Sequence, residues 1–177
     1  MARILMAIVL GGLVAGALDI IYAFVVYGPL SYGLTPLQVL QSVAAGLVGR
    51  EAARAGGMDT GLLGLATHFA IATIMAAVFV LAASRMGALA RNAVLWGLLY
   101  GLVLYVAMNY IVVPLSSAGG HFPTGLTDVG ERLQRSFNRI KTDDTYPWMI
   151  WGTLFTHTFL VGVPIALIAK RFTPQHA

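Results

Sequence analysis

The sequence predicts an all-α, polytopic membrane protein with four transmembrane helices. They come from a duplicated two-helix unit, with an amphipathic helix in each long outer connection. Composition is the first observation behind this. Of 177 residues, 58% are hydrophobic and only 10% are charged, against roughly a quarter charged in soluble domains; mean hydropathy is +0.80. The second is length. Ile4–Gly28, Gly61–Ala83, Ala93–Leu115 and Pro147–Ala169 are each apolar over at least about 20 residues, enough for a hydrocarbon core of about 30 Å at 1.5 Å per residue. Lipid offers the backbone no hydrogen-bond partners, and runs of this length form helices, not barrel strands. The third is a repeat. Residues 9–31 match residues 94–116 without a gap at an offset of 85, with Val9/Val94, Gly12/Gly97, Gly16/Gly101, Pro29/Pro114 and Ser31/Ser116 coincident.

The first run imitates a signal peptide, with Arg3, an apolar stretch and Ala15-Gly16-Ala17, but its apolar character continues to Tyr27. A retained helix is expected. The second runs correspond through Thr67-His68 and Thr156-His157, at an offset of 89. Repeat 1 therefore covers residues 4–84 and repeat 2 residues 93–171 of a single transmembrane domain. Two spans per repeat return the chain to its starting side, so the copies share an orientation about a pseudo-twofold axis along the membrane normal. The short segments on the N-terminal side carry Arg3, Arg85, Arg91, Lys170 and Arg171 with no acid. That density places both termini in the cytoplasm.

In the first long connection Thr35 caps a helix, Pro36 takes its first position and Gln38 completes a capping box. A helix of about five turns is expected, with a stripe of Leu37, Leu40, Ala44 and Leu47 and a stop at Gly56-Gly57. In the second connection Val129, Leu133, Phe137 and Ile140 share one helical face. Arg132, Arg135 and Arg139 lie on the other, followed by Lys141. This is a solvated surface helix or a docking surface for a partner subunit or anionic lipid headgroups.

Candidate chemistry lies in one layer. Asp19 is the only acid inside an expected span, where a carboxylate costs about 2.5–3.5 kcal/mol on insertion scales. It follows Gly16 by three and Gly12 by seven, so it shares the glycine face. His68, His157 and Tyr105 fall at the same depth, and Asn109 one turn further out. The layer reads as an interhelical hydrogen-bond network, a proton or solute path, or a metal site; a haem held by His68 and His157 is the weaker form of the last. Gly12, Gly16, Gly97 and Gly101 form small-xxx-small patterns, which place the first and third helices in contact. Pro164 interrupts the last helix two turns beyond His157. His121 and His176 sit in a loop and a tail and carry no chemistry. With no cysteine, thiol chemistry is excluded, and a net charge of +4 is too small and dispersed for nucleic acid. No metalloprotease, phosphate-loop or nucleophile-elbow motif is present.

The runs GGLVAGALDIIYA, VLQSVAAGLVGREAARAGG, LGLATHFAIATIMAAVFVLAA and WGLLYGLVLYVAMNYIVVPLS resemble a family of uncharacterised bacterial four-helix inner-membrane proteins. More distantly the chain is similar to YagU-like inner-membrane proteins. The resemblance implies a bacterial cytoplasmic (inner) membrane location and carries over no reaction or ligand. The basic insert from Thr124 to Thr145 departs from that pattern. The leading expectation is a non-catalytic accessory or scaffolding subunit in the lipid bilayer, docking to a larger membrane complex or forming a homo-oligomer. A small transporter or proton-conducting protein using the Asp/His layer, and a metal- or haem-binding redox helper, are the alternatives.

Overall fold

The computed structural model describes residues 1–172, which fold as helices and connecting turns without a strand. His176 lies outside the described residues. The helices are α1 (Ala2–Tyr27), α2 (Pro36–Val48), α3 (Arg50–Ala55), α4 (Gly57–Ala83), α5 (Gly87–Arg91), α6 (Ala93–Leu115), α7 (Leu126–Phe137) and α8 (Met149–Phe172). Four of them, α1, α4, α6 and α8, are long and apolar enough to cross a membrane, and they fall on the four expected runs. Large aliphatic side chains such as Ile21, Ile74 and Val103 stand exposed along them, as a lipid-facing surface requires.

The chain divides into two compact units. Unit 1 comprises residues 1–22, 68–105 and 151–177, and unit 2 residues 23–67 and 106–150. Unit 1 is a four-helix bundle with Ala15, Ala76, Val80, Ile165 and Ala166 in its core. Its glycines correct the expected pairing. The nearest neighbours of Gly12 and Gly16 are Thr73, Phe69 and Ala72 of α4, and those of Gly97 and Gly101 are His157, Thr158, Gly162 and Val163 of α8. The first and third helices thus do not meet through these glycines; each packs on its own successor. A Cβ on Gly12 would lie 2.7 Å from the Cα of Thr73, so the missing side chain is what allows the approach. The Tyr100 hydroxyl donates to the Met75 carbonyl (2.7 Å), joining α6 to α4, and Tyr22 lies against Phe155, joining α1 to α8.

Unit 2 holds the connections. The Thr35 hydroxyl accepts from the Gln38 amide (3.3 Å), and the Thr35 amide donates to Gln38 Oε1 (2.8 Å), so the expected capping box starts α2. The five-turn helix is broken in two at Gly49, whose φ of 82° side chains rarely adopt. The expected stripe is also displaced. Leu47 is exposed, while Gln41 is buried and donates to the Gly57 carbonyl (3.0 Å), tying α2 to the start of α4. α7 ends at Phe137, so Ile140 is not on it as expected. Asp128, Arg132 and Ser136, at four-residue spacing, turn inward beside the half-buried Val129 and Leu133 of the expected stripe, while Phe137 is exposed. The hydroxyl of Tyr32 donates to Asp143, and that of Tyr146 to the Ser31 carbonyl (2.8 Å), so the two connections are clasped together.

Both later spans contain π-helical stretches, Ala107–Val112 in α6 and Thr156–Gly162 in α8. Each ends two residues before a proline, Pro114 or Pro164. The proline ring crowds the carbonyl four residues earlier and offers it no N–H, and the wider π turn relieves the clash.

Candidate functional site

Asp19, His68, Thr156, His157 and Tyr105 all belong to unit 1. Asp19 sits on α1 one turn past Gly16. Because Gly12 and Gly16 let α4 approach, the His68 ring reaches the α1 backbone, with Nε2 2.8 Å from the Gly16 carbonyl oxygen. A carbonyl can only accept, so Nε2 carries hydrogen. Nδ1 then points at Asp19, 3.9 Å from Oδ2. That edge of the ring holds either a lone pair, which a carboxylate repels, or a second proton, which it attracts. Thr156 of α8 donates its hydroxyl to Asp19 Oδ1 at 3.0 Å. The side chains of His68 and Asp19 are 12% and 28% exposed, and Thr156 is buried. One carboxylate therefore faces a hydroxyl donor and an imidazole from two different helices.

His157 points elsewhere. Its Nδ1 donates to the Thr153 carbonyl (2.8 Å) one turn back, and its ring meets Tyr105 edge-on at 6.0 Å. Thr156, the neighbour of His157, is the residue that reaches Asp19, and sequence reasoning missed it. Thr67, its counterpart in the repeat, bonds the Leu63 carbonyl (2.7 Å) in the way a helix-embedded threonine usually does. Asn109 lies in the π-helical stretch of α6, within unit 2. Among the described residues no three or more His, Cys, Asp or Glu side chains gather as a metal-binding group.

The basic residues of the second connection form a separate region in unit 2. Arg132 is held by Asp128 (2.8 Å), donates to the His121 carbonyl (2.9 Å) and lies 3.0 Å from His121 Nδ1, so His121 joins this web through both backbone and ring. The same guanidinium keeps the Asp128 carboxyl below its ordinary range. Arg135 is 3.9 Å from Glu131 in an exposed pair of little energetic consequence. Lys141 Nζ lies over the Tyr110 ring, 5.5 Å from its centre, and Phe137 stacks on the same ring at 5.3 Å. The Ser136 hydroxyl is buried without a hydrogen-bond partner, an arrangement that ordinarily costs about 1–3 kcal/mol.

The chain matches no family model, no curated protein and no solved structure.

Proposed function

We propose that this chain is a small multi-pass protein of the bacterial cytoplasmic membrane that binds and releases a proton at Asp19, His68 and Thr156. It acts as a proton-conducting or proton-coupled transport protein. The observation that carries this reading is the Nδ1 edge of His68 facing the Asp19 carboxylate while Nε2 is committed to the Gly16 carbonyl. A proton passing from Asp19 Oδ2 to His68 Nδ1 leaves a carboxylate that still accepts from Thr156 and an imidazolium that still donates to Gly16. The exchange therefore needs no rearrangement of the other partners. An ionisable group in an apolar span is expensive to keep, and a proton pathway is a common reason for keeping it.

The membrane setting draws on the four apolar helices and on Tyr27, Tyr110, Trp148 and Trp151, aromatic residues at the ends of the spans nearest the long connections. In this reading α2 and α7 lie at the membrane surface, and the acid-free basic segments place both termini in the cytoplasm. The duplication draws support from the packing. Gly16 rests on Phe69 and Gly101 on Thr158, pairs that map onto one another at the two repeat offsets.

The test is proton flux into liposomes carrying the purified chain under an imposed potential. The wild type should equilibrate the lumen faster than protein-free vesicles. Asp19→Asn should fall to the protein-free rate with helical content and melting unchanged. Equal flux from wild type and Asp19→Asn, or none from the wild type, overturns the reading. Co-purification with a membrane partner, lost on shortening residues 124–145, would then favour an accessory subunit instead.

A further inference from the structure

A cleft of about 680 Å³ lies within unit 2, lined by Arg50, Arg132, Arg135, Arg139, Lys141 and Ser136 together with Asp128. Its size is that of a small-ligand site. Five cations and one acid line it, and the acid is already engaged by Arg132. Among the described residues Arg50 and Arg139 form no ion pair. Arg50 arrives from the first connection and Arg139 from the second, so the site needs both. Such unpaired positive charge repels itself and calls for an anion from outside the chain.

A second, independent observation concerns Ser136. It lines the same cleft, is 4% exposed, and its hydroxyl has no hydrogen-bond partner. The three cations outside the ion pairs, Arg50, Arg139 and Lys141, beside a spare hydroxyl donor match a tetrahedral anion with several acceptor oxygens. Carboxylates offer fewer acceptors, and the polar lining suits no apolar ligand.

We propose that this cleft binds a phosphate group, held by Arg50, Arg139 and Lys141 with the Ser136 hydroxyl as an additional donor. The phosphate is carried either by a lipid headgroup or by a water-soluble phosphate compound. Arg132 is the positioning residue, fixed by Asp128 and the His121 carbonyl so that α7 turns its polar row to the cleft.

The full chain in phosphatidylcholine nanodiscs is titrated by calorimetry with inorganic pyrophosphate in one arm and short-chain phosphatidylglycerol in the other. Saturable binding is expected in at least one arm. Binding of the lipid alone assigns a headgroup, and binding of pyrophosphate assigns a soluble phosphate. Arg50→Gln/Arg139→Gln should weaken binding by about tenfold or more, as expected on losing charged hydrogen bonds. The charge-matched control Arg85→Gln/Arg91→Gln, outside the cleft, should leave it unchanged. Ser136→Ala, which removes only the unpartnered hydroxyl, should weaken binding several-fold without lowering the melting temperature. The proposal is overturned if neither probe saturates, if the control weakens binding as much as the cleft variant, or if Ser136→Ala binds like the wild type. Proton flux is not part of this readout, so the two proposals stand or fall separately.

Discussion

Asp19 and His68 show what residue-level reasoning reaches. Counting along the helices put both at one depth, and the glycine spacing put Asp19 on the face that α4 packs against. Their neighbourhood was therefore legible. The third member was not. Depth follows from position along a helix, but direction turns by about 100° at each residue, so His157 and its neighbour Thr156 share a layer while facing different helices. Only the packing of α8 decided that Thr156 meets Asp19 and that His157 meets Tyr105. The Tyr32–Asp143 clasp was equally hidden, because 111 residues separate its ends. It has a titration signature. The bond, with the Asp143 carboxylate and the loss of solvent behind it, pushes the Tyr32 phenol up to about 12 from 10.0. The Tyr32 hydroxyl and the Tyr146 amide hold Asp143 below its ordinary 3.8. The raised phenol stabilises fully below pH 10.0 and loses its contribution as pH rises through about 12. The lowered carboxyl stabilises above 3.8 and loses its contribution as pH falls through its depressed value. The clasp is therefore intact across the whole neutral range. An ultraviolet difference titration, wild type minus Tyr32→Phe, should show one phenol ionising near 12, and Asp143→Asn should return it toward 10.0. A difference phenol ionising near 10.0 would contradict the clasp.

At the scale of elements, periodicity and caps were read well and breaks less well. The capping box at Thr35 and the four apolar runs followed from local chemistry alone. The break at Gly49 did not, because a lone glycine inside an apolar stripe is also compatible with a continuous helix. α7 turns Asp128, Arg132 and Ser136 inward alongside Val129 and Leu133 because Arg132 finds Asp128 and the His121 carbonyl on that side, which a pattern of polar and apolar letters does not register. The π-helical stretches were half visible, since Pro164 marked a disturbance and its effect appears within the preceding two turns. Glycines differ sharply in what they meet. An added Cβ at Gly101 runs into the backbone of His157 and Thr158, whereas at Gly130 on α7 it meets nothing within 4 Å. Gly101→Ala should thus destabilise the chain by about 1–3 kcal/mol through overpacking. Gly130→Ala should stabilise it by about 0.5–1 kcal/mol through helix propensity. Reversible unfolding in detergent, followed by circular dichroism, compares the two, and equal effects would argue against the close contact of α6 with α8.

Across the whole molecule, the match between residues 9–31 and 94–116 located the glycines on α1 and α6 but not the helices they join. Matching letters imply that equivalent residues have equivalent surroundings, and that holds for Gly16 on Phe69 and Gly101 on Thr158. They do not imply that the two copies touch each other through those residues. The close approach at Gly12 and Gly16 sets α1 on α4, and that at Gly97 and Gly101 sets α6 on α8, each across one of the two long connections. The match fails where function is proposed: Asp19 aligns with Leu104, a buried apolar residue. The central claim is that Asp19 and His68 hold a proton between them while Nε2 stays on the Gly16 carbonyl. Nitrogen NMR of His68, in the full chain in lipid bilayers, reads both ring positions directly. The account predicts an Nε2 that carries hydrogen and an Nδ1 occupancy that Asp19→Asn alters while Nε2 is unchanged. A ring protonated only at Nδ1 in the neutral form, or an Nδ1 signal indifferent to Asp19→Asn, would contradict it.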